Sequence, residues 1–154
     1  MDARDQALRA EKSIHPFVLH WLITMNNGIP LLMINEQGEP SSLLESYLTR
    51  QGFELRGISH SEVATRKVLQ GRPALILLEI PAEPEQALET CKMLKSNPET
   101  DSIPVIALSN NLDIKIRLRA FALGAVDFIL RPCSRQELLA RLLVHQDLAS
   151  HTVR

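Results

Sequence analysis

Cysteine is scarce in this chain. Its two copies, Cys91 and Cys133, lie far apart and outside any C-x-x-C spacing. That excludes a disulfide framework and a cysteine zinc site, and a reducing cytoplasm becomes the expected compartment. An excess of either charge is also missing: 17 Lys and Arg stand against 18 Asp and Glu, for a formal net charge of -1. A broad phosphate-backbone interface needs surplus cations, so nucleic acid is not an expected partner. No segment approaches the ~20 consecutive apolar residues that cross a bilayer. Asp2, Asp5 and Glu11 precede the first apolar cluster, unlike the basic lead of a signal peptide. His15, His20, His145 and His151 lack the spacing of metal ligands, and neither a metal nor another cofactor is expected. His60 reads as an exposed residue of a capping loop, and Cys133 as a free thiol. There is no internal repeat and no low-complexity tract.

What is present is organised around Gly71-Arg72-Pro73-Ala74-Leu75-Ile76-Leu77-Leu78-Glu79-Ile80-Pro81. The unbroken apolar run from Ala74 to Leu78, bounded by turn residues, predicts a strand buried on both faces, as in the middle of a parallel sheet. Its C-terminal end, where α/β proteins place ligands, carries Glu79. Similar short runs mark strands from Pro30 to Ile34, Phe53 to Ser59, Ile103 to Leu108 and Val126 to Leu130. Helices are predicted between them. Capping-box spacings at Ser42–Glu45, Ser59–Glu62 and Ser134–Glu137 start three of these, running to Gly52, Gln70 and about Asp147. A fourth covers Pro84 to Ser96. Residues 113–123 alternate like a strand at first, but Ala120-Phe121-Ala122-Leu123-Gly124 favours a helix with a glycine cap. Five strands alternating with five helices predict a right-handed βα repeat with a parallel sheet. The division is a helical extension over 1–28, one domain over 29–148 and a tail over 149–154.

This punctuation resembles the receiver domain of two-component response regulators. The matching text is Leu31-Leu32-Met33-Ile34-Asn35-Glu36, Arg72 to Ile80, Ile103 to Ser109, and Leu123-Gly124-Ala125-Val126-Asp127-Phe128-Ile129-Leu130-Arg131-Pro132. The resemblance covers about Pro30 to Asp147. It implies a flavodoxin-like, doubly wound sheet of order 2-1-3-4-5 flanked by five helices, with a cis bond before Pro132. Receivers hold Mg²⁺ on carboxylates at the ends of the first and third strands. An Asp at the end of the third accepts the phosphoryl group, with a hydroxyl and a Lys on the fourth and fifth. By this resemblance the equivalents here are Asn35 and Glu36, Glu79, Ser109 and Arg131, with Phe128 at the switch-aromatic position as a fixed core residue. Only Ser109 is an ordinary family choice. Asn35 has lost a charge. Glu79 is one methylene longer than Asp, and a misplacement of about an ångström costs on the order of a hundredfold in rate. Arg131 keeps a cation, but its planar fork does not replace an ammonium in a tight site. Glu83 and Ala87 stand where the family carries Pro and Gly, so the loop after Glu79 is reshaped.

The expected function is therefore a degenerate, phosphorylation-independent receiver that signals through protein contacts, not an enzyme. Glu79 would then serve as a fixed phosphoryl mimic on Arg131 or Ser109, or as a solvated remnant. A response regulator still phosphorylated in an altered site is the alternative. A flavodoxin-like ligand-binding domain is another, disfavoured because Gln37-Gly38-Glu39-Pro40 is no phosphate-cradling loop. With no output domain evident after the last helix, a stand-alone adaptor or a piece of a larger regulator is expected, its partner a sensor kinase or output protein.

Two apolar features predict a contact surface. The helix over 113–123 carries two stripes, with Ile114, Ile116 and Leu123 among their residues. The segment 16–27 is apolar nearly all round, with Phe17, Trp21 and Leu22 among its large groups. Burying each such side chain is worth about 1.5–3 kcal/mol, and a second copy supplies the cover, so a homodimer is expected. Light scattering on the full chain and on a chain shortened to begin at Ile29 checks this. The expected result is a dimer that weakens on shortening; a monomer at micromolar concentration, or a shortened chain still fully dimeric, contradicts it.

Overall fold

A computed structural model of the protein describes residues 28–152, with side chains as far as residue 148. Phe17, Trp21 and Leu22 fall outside the described residues. Five strands form one parallel sheet: β1 (Ile29–Asn35), β2 (Phe53–Ser59), β3 (Leu75–Glu79), β4 (Val105–Ser109) and β5 (Asp127–Leu130), in the order β2-β1-β3-β4-β5. Between and after them run α1 (Ser42–Arg50), α2 (Thr65–Leu69), α3 (Glu85–Ser96), α4 (Ile114–Ala122) and α5 (Arg135–Thr152). This is the flavodoxin-like, doubly wound architecture.

The uninterrupted apolar runs follow from that layering. Successive strand residues point to opposite faces, and here both faces are cores. Leu32, Ile34, Ile76, Leu78, Val105, Ala107 and Phe128 meet Val68 of α2, Leu88 and Leu94 of α3 and Ala120 of α4. Leu31, Met33, Leu75, Leu77, Ile106, Leu108 and Ile129 meet Leu48 of α1 and Leu138 and Leu142 of α5. All polar ends of β1, β3, β4 and β5 therefore collect at one edge, where the parallel strands terminate together.

Local details depart from the sequence reading in four places. The cap of α1 is Ser41, whose hydroxyl accepts from Leu44 N at 3.3 Å, one residue before the expected Ser42. The Ser59–Glu62 capping box forms, but it closes a single 3-10 turn over His60–Glu62. Val63 then leaves helical geometry and packs on the core, so α2 begins only at Thr65. Helix α5 runs to Thr152, past the expected end near Asp147. The segment 113–123 is helical, with Asp113 accepting from Lys115 N at 2.9 Å as its cap. Its two stripes have different fates. Ile116 is 8% exposed and Leu123 half-buried against the core, so neither belongs to the contact surface expected of them. They face the sheet because Ala120, between them, is small enough to let α4 sit close. The other stripe stays in solvent: Ile114, Leu118 and Phe121 are 55%, 60% and 42% exposed. Among the described residues no helix is long and apolar enough to cross a membrane.

Gly57, opposite Met33 in the β1–β2 pairing, is where the loop after β1 comes closest to β2. A Cβ there would lie 2.6 Å from Glu39 Cα and 2.7 Å from Gly38 O, both backbone atoms with little freedom to move. Gly57→Ala should thus destabilise the domain by about 1–3 kcal/mol, the usual scale of overpacking. Urea denaturation measures it, and an unchanged midpoint would mean that the loop yields freely.

Candidate functional site

The C-terminal edge of the sheet brings Asn35, Glu79, Ser109 and Arg131 into one neighbourhood. Asn35, Glu79 and Arg131 line a single cleft of about 510 Å³ together with Ser41, Ser134 and Arg135 at the starts of α1 and α5. Asn35 is buried, and both ends of its amide bond the loop after β1. Gly38 N donates to its Oδ1 at 2.8 Å, and its Nδ2 donates to Glu39 O at 2.8 Å. Glu36, next in sequence, is exposed.

Glu79 ends β3 with its side chain only 16% exposed, and its Oε2 lies 3.2 Å from Nη2 of Arg131. This is a single-pronged ion pair rather than the two-pronged fork that a guanidinium can make with a carboxylate. Ser109 is fully buried and does not reach Glu79. Its hydroxyl donates to Ile80 O at 2.7 Å and accepts from Asn111 N at 3.0 Å. Phe128 is buried in the core, and the Arg117 guanidinium of α4 stands 5.7 Å from its ring centroid. The Arg131–Pro132 bond is cis.

Two features escaped the sequence reading. His60, expected in solvent, is 7% exposed. The short 3-10 turn carries it inward, and among the described residues neither ring nitrogen has a hydrogen-bond partner. Burial holds its pKa below the ordinary histidine value, although the Glu79 carboxylate, the adjacent Glu79 main chain and Glu36 favour the charged ring. No pattern in the sequence announces this. The second feature is Asp127 at the start of β5. Arg141 Nη1 donates to both of its carboxylate oxygens at 2.9 Å, and His145 Nε2 lies 3.0 Å from Oδ2. Burial pushes the Asp127 carboxyl up, but the bonds from His145 and Arg141 outweigh it and hold the group below the usual carboxylate value. The signal was available here, since Arg141 and His145 stand four apart on one face of α5.

Comparison with known proteins decides the family. The model of the response regulator receiver domain matches residues 31–143. This chain belongs to that family. The receiver is 30% identical over 116 residues to the transcriptional regulatory protein GltR of Pseudomonas aeruginosa, a match covering 75% of this chain and 48% of that protein. It is 31% identical over 115 residues to the phosphate regulon transcriptional regulatory protein PhoB of Rhizobium meliloti, covering 74% and 51%. The chain thus spans about half the length of these curated relatives. The signal receiver domain of a histidine kinase from Syntrophus aciditrophicus superposes with a TM-score of 0.67 at 25% identity, over 80% of this chain and 94% of that one. A CheY-like receiver from Methanospirillum hungatei gives a TM-score of 0.69 at 15% identity, covering 82% and 99%, which shows the shared fold.

Receivers recruit Mg²⁺ through clustered carboxylates, and the donor set of this receiver does not fit that role. Asn35 is neutral and committed to the loop, Glu79 is committed to Arg131, and Glu36 points into solvent. Among the described residues no group of three or more His, Cys, Asp or Glu is placed to hold a metal ion. Stabilisation by a native-state ligand follows RT ln(1 + [L]/Kd), about 0.4 kcal/mol when the ligand equals its Kd. Millimolar Mg²⁺ should therefore leave the thermal midpoint nearly unchanged. A large upward shift that disappears in Glu36→Gln would contradict the assignment of the donors.

Proposed function

We propose that this receiver signals without phosphorylation, through protein–protein contact with a sensor kinase or an output protein. The supporting observation is the Glu79–Arg131 ion pair. It places a permanent carboxylate against a permanent cation where receivers otherwise make and break a phosphoryl–ammonium contact. The surrounding groups support the same reading. A phosphorylation switch needs a hydroxyl free to move toward the new anion, and Ser109 is held between Ile80 O and Asn111 N. It also needs an aromatic ring free to turn, and Phe128 is buried beneath Arg117. The contact face is then constitutive, and the exposed stripe Ile114, Leu118 and Phe121 of α4 is its apolar part. Contact with a second copy through this stripe belongs to the same reading, as does contact with an output protein.

Intact-mass spectrometry after incubation with acetyl phosphate and Mg²⁺ tests the reading. The mass should not change. Glu79→Asp alone should not restore efficient labelling either, because Asn35 and Arg131 also depart from the family chemistry. A stoichiometric gain of one phosphoryl group in the wild type, abolished by Glu79→Gln, overturns the proposal. Rapid labelling of Glu79→Asp would show that the nucleophile alone was at fault.

A further inference from the structure

The two helices on one face of the sheet, α1 and α5, leave an apolar groove between them. Arg135, opening α5, lies over the ring of Tyr47 on α1 at 5.1 Å, so these flanks face each other. Leu43 stands four residues before Tyr47 and shares its line along α1. On α5, Arg141 and His145 turn toward Asp127 of β5. That leaves Leu139 and Leu143, again four apart, on the flank toward α1. Leu44 and Leu139 close the floor against the core, while Leu43 and Leu143 stand in solvent, 76% and 43% exposed. A single exposed leucine is ordinary. Two that border one groove form an uncovered apolar patch.

The chain itself brings an occupant to the mouth of this groove. Ile29 N donates to Gly52 O at 2.7 Å, which sets the start of β1 beside the end of α1. His145 of α5 bonds Asp127, the first residue of β5, so α5 descends to the same edge of the sheet. Residues 16–27 therefore lead into β1 from the foot of both helices. Asn26-Asn27-Gly28 has the composition of a tight turn, and Gly28 holds a φ of +86°. A helix over 16–27 would span about 18 Å, enough to run the length of the nine-residue α1. The α4 stripe is out of reach of so short a connection, because α4 packs on the opposite face of the sheet.

We propose that residues 16–27 of this chain dock in the α1–α5 groove of the same molecule and cover Leu43, Tyr47, Leu139 and Leu143. Phe17, Trp21 and Met25 recur every four residues, which makes one helical line to fill the groove. Leu19 and Ile23 fall on the other side of such a helix and remain for the second copy expected from the sequence. Arg135 borders both the groove and the cleft that holds Glu79 and Arg131. The docked segment thus walls the cleft on that side and leaves the α4 stripe free for a partner.

Trp21 is the one tryptophan of the chain, so its fluorescence reports the segment directly. The full chain should show blue-shifted emission and weak quenching by acrylamide. Leu43→Glu and Leu143→Glu change exposed side chains. Each should move the emission to the red and raise quenching severalfold, with circular dichroism confirming the fold; if one variant does not fold, the other decides. Leu118→Glu on α4 should change neither reading. The docking is overturned by a solvent-like Trp21 in the wild type, by protection that survives the groove variants, or by protection lost in Leu118→Glu. Dilution tests whose groove is filled. Protection by the chain's own groove is independent of concentration. Protection that falls as light scattering shows dimers dissociating assigns the groove to a second copy, and overturns the proposal as well.

Discussion

The site depends on one constraint: β3 is buried on both faces, and its last residue must emerge where four parallel strands end. Leu75, Ile76, Leu77 and Leu78 are each 0% exposed, divided between the two cores. A strand held that firmly cannot slide, because a one-residue slip would send every side chain to the opposite face. The position of Glu79 is therefore set by some of the most tightly packed residues in the molecule. Arg131 is fixed from the other side by the pairing of β4 with β5. The two charges meet because the hydrophobic layers leave them no alternative, and not because their attraction draws the sheet together.

The energetics agree with that order of causes. A partly exposed ion pair with a single contact contributes roughly 1 kcal/mol or less, a small fraction of what either core supplies. Its significance is geometric. An Asp at this position would leave a gap between carboxylate and guanidinium, whereas the added methylene of Glu79 closes the distance to 3.2 Å. A guanidinium keeps its charge across the whole physiological range, so the contact outlasts any ordinary change in conditions that does not act on the carboxylate. On the reading proposed above, the two ends of the pair belong together: Glu79 supplies the reach and Arg131 the cation.

Sequence patterns were most legible where burial alone dictates them. Strands apolar on both faces, glycine caps and the convergence of Asn35, Glu79, Ser109 and Arg131 at one edge all follow from short-range text and strand order. Capping was legible only to within a residue, since Ser41 and Ser42 are equally good caps and the choice falls to the packing of Leu44 and Leu48. The strand-like alternation at the start of α4 misled in part. It reflects a helix with one stripe packed and one left in water, and Ile116 and Leu123 took the packed side. His60 was not legible at all. Its burial arises from a turn that closes after three residues, and a capping box reads the same whether a 3-10 turn or a full helix follows.

Arg117 lies over Phe128 while Ile114, Leu118 and Phe121 on the same helix face solvent. The residue that pins the core aromatic and the residues that form the apolar stripe therefore belong to one rigid element. A cation held over an aromatic ring is worth about 0.5–2 kcal/mol, and here it resists any turn of Phe128 that would shift α4. Arg119, also on α4, ties the helix to Glu85 at the start of α3 by two hydrogen bonds of 2.8 and 2.9 Å. These contacts join the stripe-bearing helix to β5 and to α3, although the Arg119–Glu85 pair is solvent-exposed and such a pair contributes little. Under the proposed phosphorylation-independent reading, that stripe is a contact surface that no chemical step is required to form.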